Sequence, residues 1–268
     1  MKTNMKHKTN DIISYEEQTK ITKAIIKAAV LMMEFGAESK LIEKTAQRLG
    51  SALGVDSVEI ALIPSAIVLT TLTNKKTQSV TTTRRSHHKP INMSIVCDVQ
   101  KVCIDAEKNN YGVDYIIEGL RQIEPNYYNP WLIVFMIALS CAAISILQGG
   151  DTAAFFITFL ASGIAMYIRQ QLARKKMILF LAFSITAFFA TIIASGAYIY
   201  SLTTTPQIVL AASVVLLFPG FPFVNSFLDA VKGYLSMGWG RWMQASLLTF
   251  ATSMGIILAM SILDIKGW

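Results

Sequence analysis

The chain of 268 residues is 53% apolar and only 15% charged, and its formal net charge is +7. Residues 1–130 carry 17 of the 24 Lys and Arg and 14 of the 17 Asp and Glu, so the second half is almost free of charge. This distribution excludes a uniformly soluble protein and predicts a polar half joined to a membrane half. Cytoplasmic loops and helix ends at a bilayer explain the modest positive charge better than nucleic-acid binding does.

Residues 1–14 are predicted to form a disordered tail, and residues 15–128 a small cytosolic α+β domain. Its elements follow from the spacing of apolar side chains, which is helical, then alternating, then helical again. Gly36 is expected to end the first helix, Asn74–Lys76 to form a hairpin turn, and Ser94 to cap the third helix. The predicted helices are Tyr15–Phe35, one within residues 37–54, Ser94–Lys108 and Asp114–Ile123, and the predicted strands are residues 57–62, Ala66–Thr73 and Gln78–Arg84.

The polar half offers little chemistry. His87 and His88 are adjacent and would tend to point apart, so a shared metal ion is not expected. The three cysteines form no CxxC pair, and nothing in this half forms a convincing set of nucleophile, base and orienting residue. We therefore predict no catalytic residue, no metal site and no cofactor.

Residues 129–268 are predicted to form the transmembrane domain. Five apolar segments follow one another, several of them near the lower limit of the ~20 residues that a span needs. Hydroxyls within them, at Thr158, Ser162, Ser213, Thr249 and Thr252, are expected mostly to bond between helices. The predicted spans cover about residues 131–147, 152–168, 177–202, 206–227 and 242–263.

The fourth segment contains the most informative stretch, Val214–Tyr234, because Pro219, Gly220 and Pro222 interrupt an apolar run. Prolines in a helix interior remove amide donors and clash with the preceding turn, so a continuous helix is not expected. Broken helices at membrane depth line ligand sites in transporters, although the segment would equally end a helix that re-enters the cytosol.

Polar side chains follow the break and complete the candidate substrate path. Asn225 and Asp229 are four residues apart and would share a helix face, where Asp229 binds a coupling cation or, as we favour, pairs with Lys232. Gly220 is predicted either only to end a helix, or to approach the solute with its backbone or adopt a positive φ. The predicted path residues are Pro219, Gly220, Pro222, Asn225, Asp229, Lys232, Arg169 and Arg241.

An ordered set of short motifs resembles the threonine/serine exporter family, and in particular its short split branch. The motifs are Phe35–Ser39, Ala66–Thr71, Ile91–Met93, Ala165–Gln170, Leu217–Pro222 and Lys232–Gly233. The resemblance covers nearly the whole chain, from about residue 20 to the end. The resemblance implies a bacterial inner-membrane exporter subunit with a cytosolic N-terminal domain. It also implies a smaller multispan companion subunit (YjjB-type), because full-length relatives have about twice as many spans.

The same resemblance implies the solute. The split branch is associated with export of succinate-type dicarboxylates, so we expect a subunit that exports small carboxylate metabolites across the lipid bilayer. The first alternative is a threonine/serine exporter. The second is a membrane-anchored hydrolase or sensor that uses residues 15–125, although no catalytic set supports it. A higher oligomer is also compatible with the sequence.

Charge in the loops predicts the topology. Arg169–Lys176 holds four cations, whereas the segments Gln148–Asp151 and Ser201–Gln207 hold none. The positive-inside rule then places the N-terminus in the cytoplasm and, with five spans, the C-terminus in the periplasm. Reporter fusions within Ser201–Thr205 and after Trp268 should both give periplasmic signals. A cytoplasmic signal after Trp268 would remove one span.

Overall fold

A computed structural model describes residues 13–87 and 89–265 of the chain. Ten α-helices and three strands are formed in that part of the chain. They are α1 Tyr15–Glu34, α2 Ser39–Ala52, β1 Ser57–Ile63, β2 Ala66–Thr73, β3 Gln78–Arg85, α3 Met93–Asn109, α4 Val113–Gln122, α5 Pro130–Leu147, α6 Thr152–Arg174, α7 Leu179–Ile199, α8 Pro206–Val214, a 3₁₀ turn Val215–Leu217, α9 Gly220–Val231 and α10 Leu235–Ile262.

The chain divides into two compact units. The first, here the N-terminal unit, combines residues 1–126 with the later segment Val224–Arg241. The second, here the apolar unit, combines residues 127–223 with 242–268. The division into consecutive domains at residues 128 and 129 stays a prediction, and residues 1–12 of the expected tail lie outside the described residues. Ile13 is buried in the core and the Ser14 hydroxyl caps α1, so the ordered chain includes both.

Helix α1 is the centre of the N-terminal unit. Its buried face carries Ile21, Ile25 and Met32, each fully or almost fully inaccessible to solvent, as the helical spacing predicted. The three strands form one antiparallel sheet in the order β1-β2-β3, in which Ile67 and Leu69 of β2 are fully buried. One core therefore joins the helices to one face of a meander.

Local details of this unit confirm some predictions and correct one. Asn74, Lys75 and Lys76 all have positive φ and make the predicted turn between β2 and β3. Ser94 is not the cap of α3, because Asn92 precedes it and accepts a hydrogen bond from the Ser94 amide. Asparagine is as good a cap as serine, so either residue fits the sequence rule.

The apolar unit has small residues inside and large apolar residues outside. Ala161, Ala187 and Ala190 are fully buried, whereas Phe156 and Ile257 are 65% and 64% exposed. Water would favour the reverse arrangement, but hydrocarbon solvates large apolar side chains and leaves close packing of small residues to hold the helices together. The unit therefore has the surface of a membrane protein.

Four helices, α5, α6, α7 and α10, are each long and apolar enough to cross a bilayer, and the pair α8 and α9 makes a fifth span if it is counted as one. The predicted fold class, about five transmembrane helices preceded by a small α+β domain, is confirmed at that level. Helix α10 begins at Leu235, earlier than the predicted span start at residue 242.

The hydroxyl groups of this unit are bonded within helices, which corrects the expectation of bonds between helices. Ser162, Ser213, Thr249 and Thr252 each donate to the carbonyl four residues earlier. Thr158 is buried, and its hydroxyl has no partner. Four of these five side chains therefore satisfy their protons within their own helix.

Asp151 connects two loops of the apolar unit. Its carboxylate accepts from the Ala154 amide at the start of α6 and from Thr203 and Thr204 before α8, at 2.7 to 3.0 Å. These hydrogen bonds, led by that of the Thr203 hydroxyl, hold the pKa of Asp151 well below its usual value. Nothing in the sequence patterns distinguished Asp151, which caps α6, from any other aspartate in a loop.

Close packing of α7 and α10 gives a test of this architecture. A Cβ atom added at Gly255 would overlap the Ser184 carbonyl oxygen and lie 3.1 Å from the Ala187 Cβ, whereas one at Gly196 would meet nothing within 4 Å. We expect Gly255→Ala to lower the free energy of unfolding by about 1–3 kcal/mol, because backbone must move. Gly196→Ala, the matched control, should leave it unchanged or slightly higher.

Thermal unfolding of the detergent-solubilised chain measures both effects. Equal melting temperatures for the two variants would contradict the close contact of α7 with α10.

Candidate functional site

The predicted break is present between α8 and α9. The two helices are bent by 57° at an interruption that contains Pro219. Pro222 lies in the first turn of α9, where an amide has no partner within the helix, so its missing donor costs little. Gly220 does not have a positive φ, and an added Cβ would make only ordinary contact with the Phe218 ring at 3.8 Å. The positive-φ alternative for Gly220 is therefore wrong, and the prolines alone account for the break.

One face of α9 carries Asn225 and Asp229, as their spacing predicted. Both side chains contact the turn between α1 and α2, which we call the α1–α2 corner (Phe35–Ser39). The Asn225 amide donates to the Gly36 carbonyl at 3.1 Å, and Asp229 accepts from the Ser39 amide at 3.0 Å. Because that amide opens α2, the carboxylate also lies at the positive end of the helix.

Arg241 completes this arrangement. Its guanidinium pairs with the second oxygen of Asp229 at 2.8 Å and donates to the Ala37 carbonyl at 2.7 Å. The side chains are 0% exposed for Asp229 and 11% exposed for Arg241. Two opposite charges are thus held out of water with hydrogen bonds to the same corner.

The predicted pairing of Asp229 with Lys232 is wrong. Lys232 instead pairs with Glu38 of the corner at 2.5 Å. Helix α9 ends at Val231, so the spacing that places i and i+3 on one face no longer applies at Lys232. Sequence reasoning missed Glu38 as the partner, because it precedes Lys232 by 194 positions.

Tyr234 adds a further contact that the sequence did not suggest. Its hydroxyl donates to the Glu43 carboxylate in the second turn of α2. Burial, reinforced by the neighbouring Glu43, raises the pKa of Tyr234 above its usual value, so the phenol stays protonated. We call the set Asn225, Asp229, Lys232, Tyr234 and Arg241 the corner clamp.

The structure therefore brings together four of the predicted path residues, namely Asn225, Asp229, Lys232 and Arg241, in the N-terminal unit. Each of them has a partner in the α1–α2 corner or within the clamp. Their part in the solute path stays a prediction. In this structure their charges are neutralised by ion pairs, and their polar groups are hydrogen-bonded.

Arg169, the remaining charged candidate, lies in the apolar unit. Its guanidinium carbon is 4.4 Å from the centre of the Phe183 ring, and no carboxylate of residues 13–87 or 89–265 pairs with it. It lines a small cavity with polar side chains of three other helical segments. A guanidinium next to a polar cavity can bind an anion.

Across residues 13–87 and 89–265, no three His, Cys, Asp or Glu side chains are grouped to hold a metal ion. His88 lies outside the described residues, and the His87 amide donates to Glu34.

Loss of the clamp charge gives a sharp test. Asp229→Asn leaves the Arg241 cation buried without an anion, and we expect the free energy of unfolding of the N-terminal unit to fall by about 3–5 kcal/mol. Lys232→Gln removes a partly exposed pair and should cost about 1 kcal/mol or less. Thermal unfolding and limited proteolysis of the solubilised chain measure the difference.

A double variant separates charge from packing. Asp229→Leu with Arg241→Met should recover much of the stability lost in Asp229→Asn, because apolar residues of similar volume often replace a buried pair without loss. Equal effects of Asp229→Asn and Lys232→Gln would contradict the buried pair as the main tie.

Comparison with known proteins identifies the family. A family model described as "Putative threonine/serine exporter" matches residues 23–263. A "Probable succinate transporter subunit YjjP" of Escherichia coli K12 is 42% identical over 94% of this chain and 98% of its own length, and a protein of the same name from Klebsiella aerogenes is 43% identical over 94% and 97%. A "Probable threonine/serine exporter" of Mycobacterium tuberculosis is 24% identical over 90% of this chain and 46% of its own length.

No solved structure matches the chain. The family model covers most of the sequence, and the two relatives above 40% identity align along nearly their whole length. These matches confirm the resemblance of the short motifs. The chain is a membrane protein that belongs to the threonine/serine exporter family.

Proposed function

We infer that the chain is a subunit of a bacterial inner-membrane exporter for small carboxylate metabolites, with succinate-type dicarboxylates as its main solutes. The observation that carries this proposal is the broken α8–α9 segment within a family of exporters. Its substrate class is supported by the two relatives named as succinate transporter subunits.

The mechanism we propose is alternating access around the break. The chain leaves regular helix at residues 218 and 219, and the proposal is that backbone at this interruption contacts the solute. The first turn of α9 presents the positive end of a helix, which favours a carboxylate. In the proposed topology the N-terminus is cytoplasmic and the C-terminus periplasmic, so solute enters from the side that carries the N-terminal unit.

Threonine and serine remain a second candidate solute class, supported by the description of the family and the name of the Mycobacterium tuberculosis relative. Both classes carry a carboxylate, but an amino acid also carries an ammonium group. An anion site without a nearby carboxylate suits a dicarboxylate better than a zwitterion, and Arg169 has no carboxylate partner in the described chain.

A companion subunit is part of the proposal. The chain aligns to 46% of the length of the Mycobacterium tuberculosis relative, and the two relatives of its own length are named subunits. We propose a smaller multispan protein of the YjjB type as the partner. The exposed large apolar side chains of the apolar unit leave surface for it as well as for lipid.

An enzyme is not proposed. The relatives are named as transporter subunits or exporters. The charged groups of the corner clamp are paired, Asp229 with Arg241 and Lys232 with Glu38.

Reconstitution tests the proposal. Vesicles containing the purified pair and loaded with labelled succinate should release it faster than protein-free vesicles, and faster than they release labelled threonine. Vesicles containing this chain alone should release neither, because five spans leave the broken helix with too few neighbours to satisfy its backbone. Rapid release by the chain alone would contradict the need for a companion, and preferred threonine release would favour the second solute class.

A further inference from the structure

The cavity beside Arg169 is built from four helical segments of the apolar unit. Cys141 of α5, Ser162 and Arg169 of α6, Thr186 of α7 and Ser213 of α8 line it. Its volume is about 20 Å³, enough for about one water molecule. Leu216 and Leu217 of the 3₁₀ turn before the break close another side. A cavity with a partly polar lining thus borders the 3₁₀ turn that precedes the break.

Arg169 holds an uncompensated charge at this cavity. Its contact with the Phe183 ring provides a weak electrostatic partner, since the face of an aromatic ring is only mildly negative. Arg241, by contrast, is neutralised by Asp229 at 2.8 Å, so the lack of a carboxylate partner is particular to Arg169 in this comparison. Ionisable side chains inside membrane segments are costly, and they mark ligand or ion pathways.

Three hydroxyl groups with adaptable protons line the same cavity as Arg169. Ser162, Thr186 and Ser213 each donate at 2.7 Å to the carbonyl four residues earlier in their own helix. Those carbonyls also accept the helical amides, so each hydroxyl proton can turn toward an anion without leaving a carbonyl unbonded. The set therefore combines a planar cation with up to three neutral donors, which is the chemistry that recognises a carboxylate.

We propose that Arg169 binds one carboxylate group of the exported solute, with the hydroxyls of Ser162, Thr186 and Ser213 completing the site. This inference rests on the proposed export function and names the residues that recognise the exported solute. The cavity as described is a closed form, since a four-carbon diacid exceeds its volume. The 3₁₀ turn is the wall that opens, because its hydrogen bonds have poorer geometry than those of the adjoining helices.

The position of Arg169 fits loading from the cytoplasm. It lies in the last turns of α6, whose end carries the cation cluster of residues 174–176. That cluster marks the cytoplasmic side in the proposed topology. A carboxylate entering there replaces the Phe183 ring as the partner of the guanidinium.

Transport kinetics of the reconstituted pair test the site. Arg169→Gln should raise the KM for succinate at least about tenfold, since a charged, bidentate partner of the carboxylate is lost. Arg169→Lys should also raise KM, because a point charge does not reproduce the planar fork. Arg174→Gln, which removes an exposed cation from the same helix, is the matched control and should keep the wild-type KM.

Cys141 supplies a readout that does not depend on transport. In a background of Cys97→Ser and Cys103→Ala with a cysteine-free companion, Cys141 is the sole thiol. Succinate should slow its alkylation by N-ethylmaleimide several-fold, and succinamate, which lacks one carboxylate, should protect less. Arg169→Gln should abolish the protection while leaving alkylation without solute unchanged.

The outcomes separate the two proposals. Wild-type efflux with an unchanged KM in Arg169→Gln, or equal protection of Cys141 in that variant, overturns the site and leaves the exporter function intact. If Arg169→Gln does not reach the membrane, Arg169→Lys decides by the same two measurements. If the wild-type pair moves no carboxylate, the proposed function fails. Protection of Cys141 by succinate would then still support the site, and its absence would overturn the site too.

Discussion

The buried ion pair of Asp229 with Arg241 is the interaction on which the later part of the N-terminal unit depends. The sequence places both residues among apolar segments, 190 positions or more from the α1–α2 corner that they bind. Removing two charges from water is costly, and their attraction offsets that cost only when the remaining hydrogen-bonding groups are also satisfied. The Ser39 amide and the Ala37 carbonyl meet that requirement, so the segment Val224–Arg241 belongs to the N-terminal unit although it is flanked by membrane helices.

The two arginines of the predicted path, Arg241 and Arg169, have different surroundings and therefore different roles. Arg241 has an anion and a carbonyl within hydrogen-bond distance, so its charge stabilises the fold and is not available to an anionic solute. Arg169 has an aromatic ring and a polar cavity, so its charge is offset only weakly. An anion therefore gains little binding free energy near Arg241 and much near Arg169. The unpaired arginine, rather than the more polar clamp, is therefore the better place to look for solute recognition.

Patterns along the sequence predicted the helices, the meander and the break, because these depend on neighbours within a few residues. Proline at 219 and 222 interrupts a helix whatever surrounds it. The predicted pairing of Asp229 with Lys232 was wrong. It rested on spacing between near neighbours, which is the only spacing that a sequence shows directly. Glu38 and Ser39 belong to the family motif Phe35–Ser39, but the motif does not indicate that α9 contacts them. The cavity around Arg169 was equally hidden, since Cys141 and Thr186 come from separate helices that only packing brings together.

The chain passes between its two units three times, and the second and third passages differ. The second lies within the first turn of α9, just after the interruption at Pro219. The third lies within α10, which runs from Leu235 to Ile262 without interruption. A continuous helix transmits displacement along its length, whereas a break between helices absorbs displacement locally. The break at Pro219 therefore gives the 3₁₀ turn, the opening wall of the proposed site, the local freedom that the proposed alternating access requires.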